Sequence, residues 1–183
     1  GEVHWIAGMI RAHQAVAEAS GARLVPCCGF DSIPSDLGTW FVQQAMAERY
    51  GLSALRVHGR VGKTRGSASG GTIASMLGVL EEATADPALR RRLRDKYLLY
   101  PEGEPGGPPV TDQAGPRFDP AFDRWTAPFV MALINERVVR RSNALLGFPW
   151  SREFDYDESA LCESRAQAIA VSLAMGAGLL GVS

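Results

Sequence analysis

The chain has 183 residues, 46% hydrophobic and 21% charged, which is enough for a substantial core and too apolar for a disordered segment. A formal net charge of −1 gives no basic footprint and argues against a nucleic-acid partner. Cys27, Cys28 and Cys162 have neither metal-ligand spacing nor the even count of a secreted disulfide framework, so no metal is expected and a cytoplasmic setting is.

Residues 3–20 place Ile6, Met9, Ile10 and Ala17 at helical spacing and end on Gly21, the pattern of an amphipathic helix. ARLVPCCGF (22–30) has the length of a buried strand, with Pro26 favouring a sheet edge. A second helix is predicted from Ser32 to Tyr50. Ser32 or Ser35 would cap it, Pro34 suits its first turn, Leu37, Phe41 and Ala45 share a face, and Gly51 ends it. Helix, strand, helix is the rhythm of a parallel α/β sheet.

The period then changes. Residues 54–63 alternate Leu55, Val57, Gly59 and Val61 against Arg56, His58, Arg60 and Gly62, a half-exposed strand. RGSASGGT (65–72) is a glycine-serine loop opening onto a helix with Ile73, Met76, Leu77 and Leu80 on one stripe. Asp86-Pro87 starts another helix, and residues 101–124, with six prolines and four glycines, read as a long loop. A helix is predicted from Thr126 to Leu146 with Pro128 in its first turn. Residues 152–159 form a second half-buried strand, alternating Phe154 and Tyr156 against charges. The 17 residues from Ala166 to Val182 are apolar nearly all round, at the short end of what spans a bilayer. Both ends look cut.

Two junctions and one helix carry candidate chemistry. At GFDSIPSDLG (29–38) a strand would meet a helix N-terminus, whose unpaired N–H groups and dipole suit an anion or a polar ligand edge. Asp31 and Asp36 would rim a pocket there, with Ser32 and Ser35 as donors. Equally, the serines would only cap and the aspartates only complement the dipole. The loop GSASGGT is either a backbone cradle for a phosphate or carboxylate, or a tight turn. Arg137, Arg140 and Arg141 lie near one helix face with Asn135 and Asn143, either as a clamp for a substrate carboxylate or phosphate or as a solvated, ion-paired face. Neither a G-x-G-x-x-G dinucleotide loop nor a phosphate-binding P-loop is present.

CGFDSIPSDLG, RGSASGGTIASML and WTAPFVMALINERVVRRSNALL, in that order, resemble the saccharopine dehydrogenase-like oxidoreductases, most of all their trans-acting enoyl reductase branch. The resemblance implies an α/β (α+β) protein. Residues 1–51 would be the end of a Rossmann-like nucleotide-binding domain, and 52–183 part of an α+β substrate and dimerisation domain. It implies NADP(H) as cofactor of the intact protein, with Gly29, Phe30, Asp31, Ser32 and Ile33 facing it, although the family's glycine-rich phosphate loop is not in this sequence. Asp36, Ser69, Gly70, Gly71, Thr72, Arg140 and Asn143 would approach the substrate. Ser35, Asn135 and Arg141 are candidates for the catalytic donor, with no choice among them.

The function so implied is reduction of an enoyl or acyl-lipid double bond in lipid and glycolipid biosynthesis. Two alternatives stand beside it: imine reduction or amine oxidation on an amino acid, with the arginines clamping carboxylates, and a non-catalytic dimerisation or binding module. The apolar 166–182 segment would serve a homodimer, its small residues Ala174 and Gly178 allowing close approach, or line a substrate tunnel, or touch a membrane peripherally.

Overall fold

The structure, a computed structural model, describes residues 2–29, 32–63, 78–79 and 82–180. Phe30, Asp31, the loop 65–72 and the stripe residues Ile73, Met76, Leu77 and Leu80 lie outside the described residues. The architecture is α+β, a four-stranded mixed sheet with helices packed on it and beside it.

Two helices open the chain. α1 (Val3–Ser20) and α2 (Ile33–Tyr50) end at Gly21 and Gly51, whose φ values of 72° and 68° are left-handed, the conformation that terminates a helix cheaply only at glycine. α1 buries Val3, Ile6 and Ala7 against Leu99, with Ile134 and Val138 completing the cluster.

Between them the predicted strand 22–30 does not form. Residues 22–28 are irregular, Leu24 and Val25 are each 70% exposed, and Cys27 turns to a φ of 61°. The reason is pairing. A strand is stable only beside another strand, and none lies next to this segment among the described residues, while Pro26 has no N–H to offer.

α2 also faces otherwise than predicted. Leu37 and Phe41 are exposed, and the buried positions are Ser35, Thr39 and Gln43. Polar groups occupy that face because each has a partner. Thr39 Oγ1 donates to the Ser35 carbonyl at 2.7 Å. Gln43 both donates to the Ala54 carbonyl (2.7 Å) and accepts from the Ala54 N–H (2.8 Å), which ties α2 to the chain entering the sheet.

The sheet runs β1 (Arg56–Val61), β4 (Asp155–Cys162), β3 (Arg124–Pro128), β2 (Arg117–Asp119) in space, with β1 parallel to β4 and the other pairs antiparallel. Two sequence expectations are corrected here. Thr126 and Pro128 belong to β3, and the helix α4 (Ala132–Leu145) begins only afterwards. Trp125 and Thr126 are an aromatic and a β-branched residue that pack well in a pleated ladder, and Pro128, lacking an N–H, sits at the ladder's last pair. The supposed loop 101–124 contributes β2, held by the Thr126 hydroxyl donating to the Arg117 carbonyl at 3.0 Å.

One sheet face carries Phe154 and Tyr156 against Val139 of α4, with Trp150 closing the cluster. α3 (Pro87–Arg94) is capped by Asp86, whose carboxylate accepts from the Ala88 N–H at 2.7 Å. α5 (Arg165–Leu180) packs Ala168 on Ala127 and Cys162, leaving Leu173 exposed. Among the described residues no helix is long and apolar enough to cross a membrane.

Candidate functional site

The parity of β4 decides where its carboxylate goes. Phe154, Tyr156 and Glu158 share one face, so a charged side chain is turned into the core beside two aromatics. Burying an ion is costly unless it is fully hydrogen-bonded, and Glu158 is. Its Oε1 accepts from Ser35 Oγ at 2.6 Å and from the Tyr156 hydroxyl at 2.9 Å, and its Oε2 accepts from Asn135 Nδ2 at 2.7 Å. Asn135 Oδ1 in turn accepts from Ser32 Oγ at 2.9 Å. One carboxylate therefore joins the N-terminus of α2, the first turn of α4 and the middle of β4.

Gly59 makes room for this. Its Cα stands opposite Glu158 in the β1–β4 ladder, and a Cβ there would fall on the Tyr156 hydroxyl and within 3.2 Å of Glu158 Cγ. A second acid lies behind. Glu136 accepts from the Glu158 N–H at 3.1 Å and from Arg140 Nη2 at 3.3 Å. Burial pushes its pKa up to about 7, and the Arg140 charge only partly opposes this. Burial, with the nearby Glu158 carboxylate, also raises the Tyr156 phenol far above its ordinary value, so it remains a donor.

Ser32 is the N-cap residue of α2 but makes no capping bond, since both serines aim at α4 and β4 instead. Asp36, in the first turn of α2, accepts from Ser142 Oγ at 3.0 Å through Oδ2, while Oδ1 is enclosed without a partner. Burial raises its pKa, and the Ser142 bond offsets part of that rise. It lies at an open groove of about 420 Å³ between α2 and α4, whose other walls are Leu37, Trp40, Leu145, Leu146 and Trp150. Such a groove suits an alkyl segment with one polar group at the acid.

The structure thus brings Ser32, Ser35 and Asn135 into one network and sets Asp36 apart at the groove. Gly29 is exposed and Ile33 is 37% exposed. The helix-face residues are engaged internally. Arg137 donates to the carbonyls of Asp95, Leu133 and Leu93, Arg141 to that of Leu99 at 2.5 Å, and Asn143 Nδ2 to that of Ser151 at 2.9 Å. Arg140 Nη2 reaches Asp155 at 3.1 Å and the Tyr156 carbonyl at 2.8 Å. Sequence reasoning missed Glu158, Tyr156's role and Glu136. The signal for the first was present: a glutamate at the parity of Phe154 and Tyr156.

These groups lie in a chain that aligns over nearly its full length with proteins from mycobacteria. A Mycobacterium tuberculosis protein bearing the name trans-acting enoyl reductase is 41% identical over 182 residues, 96% of this chain and 43% of its own length. The chain is similar to trans-acting enoyl reductases. Two further proteins of that name, from Mycobacterium ulcerans and Mycobacterium bovis, are 34% and 33% identical over 97% and 100% of this chain, covering 44% and 46% of theirs. The chain therefore spans less than half the length of these curated relatives. No family model matches it, and no solved structure matches it significantly.

Proposed function

We propose that the protein reduces the carbon–carbon double bond of an enoyl thioester or acyl lipid, and that this chain supplies the groove for the acyl segment. The observation that carries the reading is the alignment of 96% of the chain with a protein named for that activity, at 41% identity. The groove beside Asp36 supports it, because its walls are apolar side chains and its one acidic group lacks a partner at Oδ1. Burial raises the Asp36 pKa, so this carboxyl keeps its proton to higher pH than an ordinary one.

NADP(H) is the cofactor the resemblance implies. The described residues do not by themselves fit it. Ser32 is turned onto Asn135, and no glycine-rich phosphate loop occurs among the described residues. The chain alone is accordingly expected to bind NADPH poorly. The clamp that would favour amino-acid chemistry draws no support, since Arg137 and Arg141 donate to backbone carbonyls. A homodimer through α5 belongs to the same proposal, with Ile169 and Leu173 on its outward face.

The test uses the full-length protein with NADPH and, in parallel, an enoyl thioester and an amino-acid/keto-acid pair. Turnover of the enoyl thioester, with a raised KM in Trp40→Ala, is the expected outcome. Turnover of the amino-acid pair alone would replace the proposal.

A further inference from the structure

A second cleft, of about 280 Å³, opens where β1 and β4 begin, and its chemistry is the opposite of the apolar groove. Arg56 and His58 of β1 line it beside their register neighbours Asp155 and Asp157 of β4, and Arg117 and Thr111 close it from the segment around β2. Arg140 forms part of its wall and is 2% exposed, with Nε and Nη1 lacking any hydrogen-bond partner.

The two acids of the cleft are already committed. Asp155 takes Arg140 Nη2, and Asp157 takes Arg60 Nη1 at 2.5 Å together with His58. Arg60 holds Asp119 as well, at 2.6 Å. Arg56 and Arg117 are left exposed and without a carboxylate partner among the described residues, although Arg56 stands next to Asp155 in the ladder. The side chains lining the cleft are three guanidiniums against two carboxylates, and two nitrogens of the buried guanidinium have no hydrogen-bond partner.

We propose that this cleft binds a doubly charged phosphate group, as a monoester carried by a small molecule. Arg56 and Arg117 present planar forks from two sides, and the Thr111 hydroxyl adds a further donor. A carboxylate offers two oxygens to these groups, whereas a phosphate monoester offers three, and charge-assisted bonds to both forks can then form together. Arg140 acts from behind as fixed charge, oriented by Asp155 and the Tyr156 carbonyl. The site stands on its own geometry and does not require the enoyl reductase reading.

Isothermal titration of inorganic phosphate, and separately of acetate, into the chain in low-salt buffer tests this, because exposed charges are screened beyond about 10 Å at 0.1 M salt. Saturable phosphate binding is expected, with acetate weaker. Arg56→Gln/Arg117→Gln should weaken phosphate binding by at least about tenfold, on the strength of two charge-assisted contacts. Lys63→Gln/Arg91→Gln, which removes two exposed charges outside the cleft, should not. In the unaltered chain the Arg140 Nε–Hε resonance should move on adding phosphate. Absence of saturation, equal weakening by the control pair, acetate binding as tight as phosphate, or an unmoved Arg140 resonance would each overturn the assignment.

Discussion

Glu158→Gln is nearly isosteric, and its cost follows from the hydrogen bonds around Glu158. The carboxylate accepts three of them, from Ser35, Tyr156 and Asn135. Bonds to a charged acceptor are worth about 1.5–3 kcal/mol each and neutral ones about 0.5–1.5, so neutralising the acceptor weakens all three. Glutamine also places an NH₂ where one carboxylate oxygen stood. If that group faces Asn135 Nδ2, two donors meet. Flipping the Asn135 amide relieves this only if the Ser32 hydroxyl turns from donor to acceptor, which leaves the Ser32 proton without its present partner. An unsatisfied buried donor costs about 1–3 kcal/mol.

Against these losses, the substitution removes the expense of keeping an ion in the core. The balance is a net destabilisation of about 2–4 kcal/mol, larger than the ~1 kcal/mol of losing one ordinary hydrogen bond. Ser35→Ala, which deletes one donor and leaves two, should cost less than Glu158→Gln. Urea unfolding followed by far-ultraviolet circular dichroism and tryptophan fluorescence reads both, provided the two probes coincide. A Glu158→Gln chain within about 0.5 kcal/mol of wild type, or less affected than Ser35→Ala, would show that Glu158 is not an ionised hub.

Gly59→Ala should destabilise by about 1–3 kcal/mol, the usual range for overpacking, because the new methyl falls on the Tyr156 hydroxyl. The same change made in Tyr156→Phe should cost less, and equal costs in the two backgrounds would remove Tyr156 as the cause. Glu136 supplies a pH dependence. Its carboxyl is raised from 4.5 to about 7 on folding, so the folded state holds the proton more tightly than the unfolded one. Its contribution to stability is complete below the unfolded pKa and is lost as pH rises through about 7. The urea midpoint should fall over that window and fall less in Glu136→Gln, whereas a steeper fall in the variant would contradict the assignment.

What the sequence by itself determined is local. The spacing of apolar residues and the stops at Gly21 and Gly51 define α1 and α2. Pro34 and Asp86-Pro87 mark helix starts, and the alternation around Val57 and Gly59 marks β1. Each depends on chain geometry within a few residues, so a short window suffices. The same window singled out Ser32, Ser35, Asp36, Asn135 and Arg140 as unusual polar groups, yet could not say what they touch.

Tertiary structure decided the rest, because pairing is a property of residues far apart in the chain. Residues 22–30 have a strand's composition and no ladder among the described residues, whereas Thr126 to Pro128, predicted as the start of a helix, have a ladder. Ser35 meets Glu158 across 123 positions, and Ser142 meets Asp36 across 106. Periodicity assigned the apolar stripe of α2 to the core, but the partners of Ser35 and Gln43 lie on the opposite side, and buried polar groups go where their hydrogen bonds are. Only the parity of Glu158 with Tyr156 bridged the two scales: a two-residue period in the sequence that acquires meaning once one sheet face is covered by α4.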